Sequence, residues 1–219
     1  EAHGSSVQRF NITYNHAWTS FFWSHDVNAM YADYLKLKEY ANMHTTVHTI
    51  ELMTNILTNL ENAARVGLFD SERFRKEVQD LKTIKERKDL SRASRLFLEL
   101  FFSEHRLLQM VHCAQDPTPE LKKLAELIET SANYPDISFD AQTTIVEMIG
   151  RVIDDNEDYE KLIDKISRIS SLRKSEVEGA IIHFNRAQTL IDKQQYKPVV
   201  KHLGHCVQAF LKEGYETEL

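Results

Sequence analysis

Apolar residues recur every three or four positions through nearly the whole of this chain, and little interrupts them: there are 6 Gly and 4 Pro in 219 residues. That period marks helix faces turned toward a core. So few turn residues leave too little punctuation for the many reversals of an all-β fold. The sequence therefore predicts an all-α chain, an antiparallel multi-helix bundle of about seven or eight helices, long enough for one sizeable core or two small ones.

The longest periodic stretch runs from Ser24 to Val66. Its seam begins apolar, with Met30, Tyr34, Leu37 and Ala41, and then turns polar, with His44, His48, Glu51 and Asn55. About 40 helical residues would span about 60 Å, too long for a compact domain, so a bend or break is expected near Asn42–Thr46. Ser24 is the expected cap at the start and Gly67 the stop.

Asp70 or Ser71 should cap a helix running to about Lys85. Asp89 or Ser91 should start a longer one to about Cys113, with the stripe Leu98, Phe101, His105, Leu108 and His112. Proline disfavours helix in the residue before it, so 115–119 and 133–138 read as breaks. Ser138 opens the next helix, Ser170 or Ser171 precedes another, and 193–196 is a tight turn before Pro198. The last pair has the spacing of a TPR-like helical hairpin (Ala187, Leu190, Tyr196, Val200, Leu203), without a fixed repeat of about 34 residues along the chain.

Residues 1–23 do not show helical periodicity. They carry Trp18 and Trp23 with Phe10, Tyr14, Phe21 and Phe22 among polar residues. Rings of that size bury worthwhile area, so this segment is expected to be an aromatic arm strapped across the bundle, with Trp18 and Trp23 as a partner or ligand surface in the functional alternative. The expected organisation is an arm at 1–23 and a single bundle at 24–219; any division into lobes should fall near 115–137.

The formal net charge of -6 comes from interspersed residues. No basic patch points to nucleic acid, and no apolar run reaches the roughly 18–20 residues of a membrane helix. An opening without Met, E-A-H-G-S-S, fits a trimmed chain or an exported one cleaved after a signal; export is the favoured expectation. Asn11-Ile-Thr13 is a glycosylation sequon that matters only in that case. Cys113 and Cys206 sit on helical faces outside any CxxC, which suggests buried thiols, with a disulfide between helices as the alternative.

Ten histidines carry the most chemistry. His44 and His48, four apart, would point the same way on one helix, with Glu51 a turn further on; His105 and His112 lie on another apolar stripe. Together these five form the candidate metal site, for a transition metal or haem, because helical bundles build such sites from inward-facing His and Glu. His183, His202 and His205 also fall at core positions. Hydrogen-bonded core histidines are the plainer alternative. There is no Glu-x-x-His and no His-Glu-x-x-His, so the ferritin-like and zinc-protease patterns fail.

Asp154, Asn156 and Asp158 imitate the start of a calcium loop, but Tyr159 and Lys165 replace its glycine and final glutamate; an exposed helix N-terminus explains the acidic run. Phosphate-binding glycine loops and the serine-hydrolase elbow are absent. The reading that results is a non-enzymatic binding or interaction module, whether sensor, receptor or scaffold, for a protein or small-molecule partner; the alternative is a metal- or haem-binding bundle.

Overall fold

The computed structural model describes residues 5–154 and 156–214. Helix accounts for 81% and no strand occurs among the described residues, so the all-α class holds. The described residues form ten helices: α1 Ser6–Phe22, α2 Val27–Met43, α3 Val47–Arg65, α4 Ser71–Lys85, α5 Arg92–His112, α6 Thr118–Ser131, α7 Phe139–Val152, α8 Glu157–Arg173, α9 Glu176–Asp192 and α10 Tyr196–Glu213. The count exceeds seven or eight because the aromatic arm is itself a helix and the 24–66 stretch is two.

Local chemistry explains both the added helix and the break, which falls where it was expected, between Met43 and Val47. Ser5 Oγ accepts from the Gln8 amide at 3.2 Å while Gln8 Oε1 accepts from the Ser5 amide at 2.8 Å. This capping box satisfies donors that a helix start leaves orphaned. At the break, the His44 amide makes the last bond of α2, to Tyr40 O. Thr46 then starts α3 with a second box, its Oγ1 accepting from the Thr49 amide at 3.2 Å. The phase of the apolar face restarts there. Met30, Tyr34, Leu37 and Ala41 are all buried on α2, but α3 buries Val47, Ile50, Met53 and Leu57 instead of a continued seam.

Other starts shift by a few residues. Asp26, not Ser24, caps α2, and Ser175 caps α9, because α8 continues through Ser170 and Ser171. Asp70 and Ser138 cap α4 and α7 as expected. Asn156 caps α8, so the acidic run is a helix start, with Glu157 and Asp158 in its first turn; Asp155 lies outside the described residues.

The chain forms two compact units divided between Leu98 and Glu99, within α5. In unit 1, α1 packs on α2 and α3, α2 on α3, and α3 on α4. Phe10 and Tyr40 meet with ring centroids 4.7 Å apart. Burial of Phe10 stabilises by roughly 1.5–3 kcal/mol; Tyr40 is half-buried. Lys38 lies between Glu77, at 2.6 Å, and Asp80, while Tyr31 donates to Glu77 at 2.9 Å.

In unit 2, α8 packs on α6, α7 and α9, and α9 on α7 and α10. Ser103 donates to the buried Glu120 at 2.8 Å. The α8–α9 crossing is tight: a Cβ at Gly179 would lie 2.8 Å from the Ser167 carbonyl oxygen. No helix among the described residues is long and apolar enough to cross a membrane.

Candidate functional site

Three helices of unit 2 each contribute two polar residues one turn apart, and so on one face: Glu160 and Asp164 on α8, His183 and Arg186 on α9, His202 and His205 on α10. They stack into two layers. The inner layer is Glu160, Arg186 and His202; the outer is Asp164, His183 and His205.

In the inner layer Arg186 and His202 are deeply buried, 3% and 0% exposed, and Glu160 is half-buried. Arg186 donates to Glu160 Oε1 from Nε at 2.9 Å and from a terminal nitrogen at 2.7 Å, a bidentate grip. It also donates to the Gly150 carbonyl at 3.3 Å, and its cation lies 4.7 Å from the centre of the Tyr159 ring. Tyr159 in turn donates to Val146 O at 2.8 Å, and burial pushes its phenol well above the ordinary value. Burial alone would raise the Glu160 carboxyl; His202 and Arg186 outweigh that and hold it below the usual carboxylate range.

His202 Nε2 lies 2.8 Å from Glu160 Oε2, close enough to help hold the carboxylate charge. On its other edge, His202 Nδ1 meets His183 Nδ1 at 3.0 Å. In the neutral His202 tautomer with its proton on Nε2, on the Glu160 side, Nδ1 carries a lone pair to which His183 Nδ1–H donates. That tautomer leaves the lone pair of His183 on Nε2. Burial, then the neighbouring His205 and His202, lowers His183 to about 4, so it is uncharged at neutral pH.

His183 opens onto the outer layer. Its ring stacks on exposed His205, with centroids 4.3 Å apart and planes at 12°. One ligand atom from each of Asp164, His183 and His205 lies within 4.8 Å of the other two. These residues line a groove of about 380 Å³ together with Ser167, Glu176 and Lys212. Lys201 holds Asp164 at 3.0 Å.

The five residues expected to form the metal site are placed otherwise. His44 and His48 are exposed, on either side of the break, so their four-residue spacing is not a helical spacing. Their inward orientation is corrected on that ground. Glu51 and His105 are half-buried, His105 bonded to Gln109 at 2.9 Å, and His112 is exposed near the end of α5. His44, His48 and Glu51 belong to unit 1, His105 and His112 to unit 2. Asp164, His183 and His205 form the three-ligand group among the described residues.

Trp18 is half-buried and stacked on Phe22 at 4.8 Å. Trp23 is 84% exposed and does not strap the core. Cys113 is exposed and Cys206 buried, and both thiols are free. Sequence reasoning noted the core positions of His183, His202 and His205 but missed Glu160, Asp164 and Arg186. The available signal was the pairing of polar residues one turn apart on three successive helices. Comparison with known protein families, with curated proteins and with solved structures finds no match.

Proposed function

We propose that the protein is a non-enzymatic interaction module that receives an amphipathic helix of a protein partner along the outer face of α10. One observation carries the reading. Tyr196, Val200, Leu203, Val207 and Leu211 are 63%, 74%, 39%, 43% and 55% exposed, and their spacing places them on one stripe about 100° wide. The buried face of the same helix is Val199, His202, Cys206 and Ala209. So α10 is apolar on two sides, and one of them faces solvent.

Gly204 lies within that stripe. A glycine inside a helix costs about 1 kcal/mol relative to alanine, and a Cβ there would meet nothing within 4 Å. Packing inside the unit therefore does not require it. It flattens the stripe between Val200 and Val207, which favours close approach of a second helix. Lys197, Lys201 and Lys212 flank one edge of the stripe; Lys201 and Lys212 already pair with Asp164 and Glu176, so an acidic edge on the partner helix would meet Lys197 directly and the other two in exchange for those pairs. An antiparallel course for α8, α9 and α10 is part of this reading. It is supported by the short connections and by the layer order, in which 186 precedes 183 where 160 precedes 164 and 202 precedes 205.

The test uses two synthetic helical peptides with the same leucine stripe, one edged with Glu and one with Lys, titrated by fluorescence anisotropy. The Glu-edged peptide should bind more tightly, and the pair Val200→Asp with Val207→Asp should abolish binding without loss of helix. Binding of neither peptide overturns the proposal. So does a concentration-dependent dimer that the same variant dissolves, because the occupant is then a second copy.

A further inference from the structure

We infer that Asp164, His183 and His205 form a binding site for a divalent first-row transition metal of the zinc type, separate from the α10 stripe and from the histidines of α2, α3 and α5. Two imidazoles and one carboxylate are the donor set that such ions take, with one or more positions left for water. The three residues come from three packed helices, and they line a groove open enough to admit a hydrated ion.

The independent support is the layer beneath. Metal-bound histidines commonly have their second ring nitrogen fixed by an outer partner that sets the tautomer. Here that partner is in place: Arg186 grips Glu160, Glu160 faces His202 Nε2, and His202 Nδ1 holds His183 Nδ1 at 3.0 Å. With His202 in the Nε2–H tautomer, the chain of contacts ends with a lone pair on His183 Nε2. A core histidine needing only a hydrogen bond does not explain why a completely buried His202 and a paired carboxylate stand behind it. Nor does it explain why two further donors, His205 and Asp164, gather on its open side.

Tetrahedral zinc with bonds of about 2.0–2.1 Å brings ligand atoms to about 3.3 Å from one another, and the three ligand atoms already lie within 4.8 Å. Stacked rings send their in-plane lone pairs along parallel planes. Binding therefore requires His205 to rotate out of the stack and Asp164 to exchange Lys201 for the ion. Both residues are exposed, while His183 is 4% exposed and stays fixed.

Zinc chloride alone is the probe, titrated calorimetrically into the full chain without a histidine tag. One ion per chain is expected, with cobalt giving the visible absorption of a four- or five-coordinate centre. His205→Ala and Asp164→Asn alter exposed side chains, so the fold should persist by circular dichroism while affinity falls at least about tenfold, the scale of far weaker outer-partner losses. Histidine ring resonances should show His205 leaving His183 on saturation. Absence of zinc binding overturns the inference. So does binding that survives both variants, or that is lost instead in the pair His44→Ala with His48→Ala.

Discussion

Both compact units bury an ionic network, and the two end differently. In unit 1, Lys38 sits between Glu77 and Asp80, and Tyr31 donates to Glu77. Each charged member meets its opposite, and the network closes on itself. In unit 2, Arg186 and His202 hold Glu160, but the chain of contacts continues through His183 to His205 and Asp164 at a groove. Taking charge out of water is costly in both cases. What separates a network that only holds helices together from one that offers a site is where its last polar atom points.

The comparison is most directly broken at Arg186. Arg186→Met should destabilise unit 2 by about 3–5 kcal/mol, because it leaves the Glu160 carboxylate buried without its cation. Hydrogen exchange across α8–α10 measures it, and a loss under 1 kcal/mol would show that water already reaches Glu160. Lys38→Met should cost less, roughly 1.5–3 kcal/mol, because Asp80, at 39% exposure, returns to solvent and only Glu77 is stranded. Amide protection in α2 and α4 reports that loss.

Acid and alkali should separate the two networks. Burial lowers Lys38, but its bonds to Asp80 and Glu77 outweigh burial and raise it above 10.5. Its contribution is therefore complete below that value and is lost as pH rises through the higher folded one. His183 is shifted the other way, from 6.5 to about 4, among Asp164, Lys201, His202 and His205. The unfolded chain takes up that proton first, so in metal-free buffer the stability of unit 2 should fall as pH drops from about 6.5 to about 4. Loss of protection in α8–α10 over that range, with α2 and α4 unchanged, is the expected result. Equal loss in both units would remove the distinction.

The smallest effects lie at exposed positions. Trp23→Ala should change stability by no more than about 0.5 kcal/mol. Gly204→Ala should stabilise unit 2 by about 1 kcal/mol while weakening the Glu-edged peptide. Thermal and denaturant melts check both.

Helix content was readable because a 3.6-residue period is a local property of the sequence. The arm was not, because α1 exposes Val7, Ile12 and Phe22, and Trp23 just past its end, while burying only Phe10, Ala17 and Ser20, which blurs the period. The polar half of the 24–66 seam misled for a related reason. An extrapolated face is meaningful only while the helix continues, and the Thr46 cap resets its phase. The site of unit 2 was half visible. Its histidines fall at core positions, but which carboxylate and which arginine meet them depends on how α8, α9 and α10 pack, and Glu160 and Asp164 look like any other solvated acids on α8.

The two free thiols supply a clock. Cys206 is 3% exposed, donates to Ala180 O at 3.3 Å, and is pushed by burial above the ordinary thiol value, so the reactive thiolate forms there only when α10 lifts from α9. Cys113 is open to reagents at once. A thiol dye should therefore react in a fast phase and a slow one, and the slow phase times the unzipping of the last hairpin without any added label site.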